Sequence, residues 1–293
     1  MTNNDINHHI QWDSTTDEPF LPVPGFPTLR LTPYREGEQA DMVELCNHPL
    51  VGRYSYLRPY PYDLSHAQWM YDNIINKNLV PAVSTLRSLR ESPLQPNTLP
   101  PLVTYPLSVL RYSPSYAIST TSNSNSQSTS TPTINSQSTS ISAPQSTSTS
   151  TSNPQSDSTS IAPSSKSDLS SLGLKDGAFM GTINIFPAER DPSSDKSIPI
   201  PRQDQVWMVA YDIFPILQGR GIGSAVLKVF LEEWCEWMNI RIRAEAQRDN
   251  IPSSRILAKA GFVHSKDIVK TWPEEKGGGD RLVGVWDWAP TRQ

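Results

Sequence analysis

The stretch from Val206 to Ser224, VWMVAYDIFPILQGRGIGS, constrains the fold more than any other part of the chain. Val206 to Ile213 is an apolar, β-branched and aromatic run that reads as a buried strand. Pro215 ends it, because proline has no amide hydrogen to give a sheet ladder. Gln218, Gly219, Arg220, Gly221, Ile222 and Gly223 follow, and an apolar helical pattern then continues through Met238. A strand, a glycine-rich turn and a helix N-terminus in that order build an anion site. The first helical turn leaves backbone N–H groups without partners, the helix dipole adds positive potential, and glycines let a phosphate approach closely. The spacing fits neither GxxxxGK[ST] nor GxGxxG. From this turn alone, an anion site and a packing turn both remain open.

A second element separates the two readings. Ile240, Ile242, Ala244 and Ala246 alternate like one face of a short strand, and Asn250 to Phe262 (NIPSSRILAKAGF) follows. At this point the chain resembles the GNAT acyltransferases. Their [QR]xxGx[GA] motif is matched by Gln218, Gly221 and Gly223. An N-x-x-S-x-x-x-L-x-K-x-G-F pattern, typical of the RimJ/RimL-like branch that acetylates protein N-termini, is matched by Asn250, Ser253, Leu257, Lys259, Gly261 and Phe262.

The resemblance implies acetyl-CoA as co-substrate, no metal, and an amine acceptor, either a peptide or protein N-terminus or a small molecule. It implies a cofactor groove where two parallel strands splay, with the edge at Tyr211, Asp212 and Ile213, and Val209 further back, pairing with pantetheine. The pyrophosphate would sit on the N–H groups of Gly219, Arg220, Gly221, Ile222, Gly223 and Ser224. Arg220 either adds a charge there or is solvated; Gln218 is a cofactor contact or simply a turn residue. Asn250 would bond the cofactor arm while capping its helix, and Pro252 suits an early helical position.

The reaction is direct attack of a neutral amine on a thioester, so it needs a proton acceptor and something to meet the departing thiolate. Many members use a tyrosine acid where this chain has Leu257. In the RimJ/RimL-like branch the matching serine is the proposed donor, which makes Ser253 the expected thiolate contact; the alternative is an ordinary first-turn helix residue. The base stays unassigned. Met208 stands where members often carry a glutamate, Asp212 lies off the expected line, and Glu245 is out of phase with its strand's apolar residues. A water chain also serves, since an ammonium near pKa 10 need be neutral only transiently.

Composition narrows the rest. The 293 residues are 36% hydrophobic with 27 prolines, unusual for one compact fold of this length. The imbalance is local, because Ser113 to Ser171 collapses into Ser, Thr, Asn, Gln and Pro. Such a tract cannot bury enough apolar surface to offset its ordering entropy and reads as disordered. A formal net charge of −4 implies no pull toward nucleic acid. Cys46 and Cys235 lie in apolar helical patterns and read as buried thiols. No apolar run is long enough to span a bilayer, so the expectation is a cytoplasmic protein without membrane partners, the nucleus left open, as monomer or homodimer.

In chain order, residues 1–25 lack periodicity and read as a flexible arm. Residues 26–290 read as one N-acetyltransferase domain interrupted by the 113–171 insertion, which loop-closure entropy tolerates because it grows only logarithmically. Thr28 to Tyr34 alternates like a strand, Glu36 to Asn47 is helical, and a helix over Ser65 to Asn76 has Ser65 as N-cap with Trp69, Ile74 and Ile75 inward. Residues 79–100 read as a loop with some helical propensity around Val83 to Leu89, and Leu102 to Tyr112 and Ala178 to Phe186 read as strands. Gly261 to Thr271 and Arg281 to Trp288 read as a closing hairpin. Tyr54, Tyr56, Tyr60, Tyr62 and Trp69 fall where an acceptor groove would begin, and Trp272, Trp286 and Trp288 line its other wall or fill the core. The expected fold is α/β (α+β), a GNAT-type mixed, mostly antiparallel sheet of about six or seven strands with helices on both faces. A non-catalytic acyl-CoA-binding protein is the alternative from another class.

Overall fold

The computed structural model describes residues 10–95, 98–116, 168–189, 197 and 199–291. Its strands are β1 (Gln11–Asp13), β2 (Glu18–Pro22), β3 (Leu29–Thr32), β4 (Val109–Tyr112), β5 (Phe179–Pro187), β6 (Val206–Ile213), β7 (Arg241–Gln247), β8 (Val263–Thr271) and β9 (Asp280–Trp288). Among the described residues these form one nine-stranded sheet in the order β1-β2-β3-β4-β5-β6-β7-β9-β8. Neighbours pair antiparallel except β6 and β7, which run parallel. The sheet is therefore mixed and mostly antiparallel, as the resemblance implies, but wider than six or seven strands.

The extra width comes from the first 25 residues. The part of this segment that the structure describes forms the β1–β2 hairpin, a correction to the flexible arm; residues 1–9 lie outside the described residues. Phe20 and Leu21 are each 1% exposed, and Asp13 receives Arg30 Nη1 at 2.7 Å. Trp12 lies under the guanidinium of Arg90, 4.9 Å from its ring centre. Three- and five-residue strands are too short to show a period, and these contacts are long-range.

Burial works to raise the Asp13 carboxyl, but the Arg30 bond and the Thr15 and Thr16 N–H groups outweigh it, so its pKa is held below 3.8. A folded pKa below the unfolded one gives stability that is present above about pH 4 and is lost as pH falls through the folded value. Amide exchange of residues 11–22 is therefore expected to accelerate on acidification below about pH 4, and Asp13→Asn to lack that dependence. Acid-independent exchange in the native protein would contradict this.

Core residues cover both sheet faces. Leu29, Leu31, Leu110, Ile183, Trp207 and Val209 join Val226, Phe230, Trp234 and Leu257 in one cluster. Val109 and Phe179 join Leu45, Cys46, Ile75 and Leu79 in a second. Helices α1 (Gln39–Asn47) and α2 (Leu64–Met70) belong to the second. Helix α4 (Ile222–Val229), the π-helical turns Phe230–Cys235, α5 (Glu236–Met238) and α6 (Ile251–Lys259) belong to the first. Cys46 and Cys235 are buried free thiols; burial drives the Cys46 pKa up to about 12 and that of Cys235 well above its ordinary value. Among the described residues no helix is long and apolar enough to cross a membrane.

Four local expectations are corrected. Asp63, not Ser65, caps α2, accepting from the His66 N–H at 3.0 Å. Tyr71–Ile75 then forms a π turn; Trp69, before it, is 60% exposed while Ile75 is 2% exposed, since residues six apart on a helix lie about 120° out of phase. The helical propensity around Val83 to Leu89 belongs to a longer helix than expected, α3 (Asn76–Glu91), which takes over the start of the 79–100 loop and continues through Pro81. Leu79, Ala82, Leu86 and Leu89 are buried at helical spacing there, and that burial offsets the roughly 3 kcal/mol proline cost. Finally, β4 begins only at Val109, because Pro106 has no N–H and Tyr105 sits at φ 67°.

The Ser/Thr-rich expectation falls mostly on 117–167, outside the described residues. Its flanks join neighbouring antiparallel strands, with Gly177 N–H bonding Tyr112 O at 2.8 Å and Tyr112 N–H bonding Ala178 O at 3.0 Å.

Candidate active site

The parallel pair is the opening in the sheet. Val206, Trp207 and Met208 face Arg241, Ile242 and Arg243. From Val209 onward β6 continues to pair with β5, while from Ala244 onward β7 pairs with β9. The strands thus separate toward their carboxyl ends, and among the described residues the β7-facing edge of Val209–Ile213 has no strand partner. Unpaired strand amides and carbonyls can take an extended, amide-bearing ligand.

At the end of that edge lies the glycine turn. Pro215–Leu217 makes one 3-10 turn, and Gln218 Nε2 reaches back to Ile213 O at 3.4 Å, a turn-holding role for that side chain. Gly221 is the N-cap of α4 at φ 89°, a left-handed conformation that glycine adopts without strain. Gly219 also has positive φ. The N–H groups of Ile222, Gly223 and Ser224 stand in the first turn, where no preceding helical carbonyl exists for them. Ile222 itself is fully buried, so its side chain serves the core and only its backbone faces the turn. A Cβ on Gly223 would lie 2.8 Å from Ile256 Cδ1, so the small residue lets α4 approach α6. Arg220 Nη1 bonds Asp168 O at 3.4 Å, which ties this side chain to the chain returning from the Ser/Thr-rich segment.

Residues 136–263 match the family model described as acetyltransferase (GNAT) domain. The match covers under half of the chain. Solved structures similar to the chain include spermidine N-acetyltransferase from Vibrio cholerae in complex with CoA and spermine, at 11% identity over 90% of this chain and 97% of that one, TM-score 0.47. AAC(6')-Ib in complex with ribostamycin and coenzyme A is 13% identical over 91% and 93%, TM-score 0.43. An acetyltransferase of the GNAT family from Streptococcus pneumoniae is 19% identical over 40% of this chain and 63% of that one, TM-score 0.31. With four of the similar acetyltransferase structures, the Streptococcus pneumoniae one among them, the match spans only 60–66% of the other protein's length. A comparison with curated protein sequences gives no match.

The second motif opens α6 beside the splay. Asn250 is its N-cap, its Oδ1 accepting from the Ser253 N–H at 3.2 Å, with Pro252 in the first turn. Ser253 Oγ lies 2.7 Å from the hydroxyl of Tyr211. Reading the sequence places Tyr211 only as a strand edge; its side chain reaches α6, a contact 42 residues apart that no local spacing announces. Burial pushes the Tyr211 pKa far up, opposed by the Ser253 bond, so the phenol stays protonated through the neutral range. Leu257 is 1% exposed and fills core.

Neither carboxylate considered as a base is free. Asp212 pairs with the guanidinium of Arg58 on the sheet face opposite Tyr211. Glu245 pairs with Lys270. Arg58 belongs to a strap that crosses the carboxyl ends of the splayed strands. At one end it meets Asp212 of β6; at the other, Arg53 O accepts from Gln247 Nε2 of β7 at 3.4 Å. Lys276 holds the middle, its ammonium bonded to the carbonyls of Ser55, Tyr56 and Arg58. Tyr56 packs edge-on to Trp272 at 5.0 Å, whereas Tyr62 and Trp272 are buried in packing. Trp286 and Trp288 pack against the main core. Among the described residues, no group of three or more His, Cys, Asp or Glu gathers as a metal site would need.

Proposed function

We propose that the protein is an acetyl-CoA-dependent N-acetyltransferase that acts on a primary amine presented as a peptide or protein N-terminus. The observation carrying this reading is the splay of β6 from β7, with a glycine-built helix N-terminus at the end of its open edge. The residues present fit CoA: an extended edge for pantetheine amides at Val209–Ile213, and first-turn N–H groups for the pyrophosphate at Gly219–Ser224.

When bound, acetyl-CoA supplies an acyl group activated as a thioester. The chain's own groups then act in order. An N–H on the β6 edge faces developing negative charge on the carbonyl oxygen. Ser253 at the head of α6 would meet the sulfur, and Asn250 fixes that turn. With Asp212 and Glu245 both in ion pairs, water carries the amine proton away.

A peptide acceptor suits the strap better than a polycation does. Arg53 lies along it and Arg281 sits 4.8 Å over Trp272, while Arg58 and Lys270 are taken up by Asp212 and Glu245, so neither of those carboxylates is left to draw a polycation. The test is thiol release from acetyl-CoA with a panel of peptides, amino acids, polyamines and aminoglycosides. Turnover fastest on peptide N-termini is expected. Preference for spermine would overturn the acceptor assignment, and CoA binding without turnover on any amine would favour a non-catalytic binding protein.

The same reading makes the chain one domain carrying an insertion. Replacing 117–167 by a short Gly-Ser linker is expected to leave the unfolding midpoint and CoA affinity unchanged. A deletion extended through Leu169, which is 1% exposed, is expected to cost about 2–5 kcal/mol. Loss of folded protein in the shorter deletion would show that the segment is structural.

A further inference from the structure

We propose that Tyr211 is a positioning residue that aims the hydroxyl proton of Ser253 at the sulfur of CoA. This rests on the acetyl-CoA reading above. Tyr211 shares a sheet face with Trp207 and Val209, and the first turn of α6 lies over that face. Its hydroxyl is 2.7 Å from Ser253 Oγ, a pair in which either oxygen can be the donor, and 3.5 Å from Ser253 O; the phenolic proton is assigned to Oγ, the nearer acceptor. A serine hydroxyl has one proton to give and two lone pairs to receive. With Tyr211 donating into one lone pair, the serine proton is turned away from the tyrosine.

Ser253 is held from a second side, since its N–H is bonded to Asn250 Oδ1. The serine is therefore fixed in place and in polarity before any ligand arrives. The tyrosine transfers no proton. Partly buried and protonated, it remains a donor across the working pH range, with Asp212 on its own strand neutralised by Arg58. This bond also joins β6 to α6, the two elements that face each other across the splay.

The test needs no turnover. CoA and desulfo-CoA are titrated calorimetrically at about pH 9, where an ordinary thiol near pKa 8.5 is mostly thiolate. The wild type is expected to prefer CoA by about tenfold, the size of one hydrogen bond to a charged group. Tyr211→Phe and Ser253→Ala should each erase that preference, the double variant should lose no more, and desulfo-CoA affinity should stay within about threefold throughout. In turnover, Tyr211→Phe should lower kcat with little change in KM for acetyl-CoA. A Tyr211→Phe protein that keeps the sulfur preference overturns the proposal, as does one whose desulfo-CoA binding collapses, which would mark a structural role. A wild type that binds both ligands equally overturns this inference alone, and one that binds neither overturns the acetyl-CoA reading and this inference with it.

Discussion

Gly221→Glu is expected to weaken acetyl-CoA binding more than 100-fold while the protein remains folded. Gly221 is the N-cap of α4 at φ 89°, and a Cβ placed on it meets no atom within 4 Å. The new side chain therefore has room, and its carboxylate projects where the first-turn amides would hold phosphate. A carboxylate about 5 Å from one phosphate charge, at an effective dielectric near 20, costs roughly 3 kcal/mol, about two decades of affinity. Gly221→Ala separates charge from strain. It introduces only the left-handed penalty of about 1–2 kcal/mol and should weaken binding far less. Calorimetry of both variants reads the difference. Equal loss in the two would mean that backbone conformation, and not an anion site, explains the glycine.

Arg111→Leu is expected to lower stability by about 3–5 kcal/mol, a fall of roughly 10 °C in Tm for a domain of this size. Arg111 is 1% exposed on β4. Its Nη1 meets Glu38 Oε1 at 2.5 Å and Gly177 O at 2.8 Å, Nε reaches Thr32 Oγ1 at 3.0 Å, and Nη2 reaches Pro33 O at 3.4 Å. One guanidinium thus ties β3, the start of α1 and the point where the chain returns after the Ser/Thr-rich segment. Leucine fills much of the volume but leaves the Glu38 carboxylate and buried carbonyls without their donor, which is the costly half of a broken pair. Arg111→Lys should rescue only part, since one ammonium cannot reproduce the planar fork. Urea unfolding gives the measurement, and a loss below about 1 kcal/mol in the leucine variant would show that water replaces these bonds.

What was legible in the chain is what local chemistry enforces. Strand β6 occupies Val206–Ile213 as read, because an apolar run followed by Pro215 leaves little choice. The turn at Gly219 and Gly221 carries positive φ because only glycine does so cheaply, and Asn250 caps α6 with Pro252 behind it for similarly local reasons. The closing hairpin lies within two residues of its expected ends, at Val263–Thr271 and Asp280–Trp288.

Tertiary contacts decided the rest. The β1–β2 hairpin exists because Phe20 and Leu21 are buried and Asp13 finds Arg30, and α3 runs through Pro81 because four buried residues seal it. The catalytic surroundings divide the same way. Glycines and caps are written in order along the sequence, since each satisfies its own neighbours' backbone. Tyr211 against Ser253, Arg58 on Asp212 and Lys276 under the strap join residues 42, 154 and about 220 positions apart. Spacing along the chain carries no information about such pairs. Only the packed sheet, by fixing which face each strand residue presents and which loop crosses its open end, brings them together.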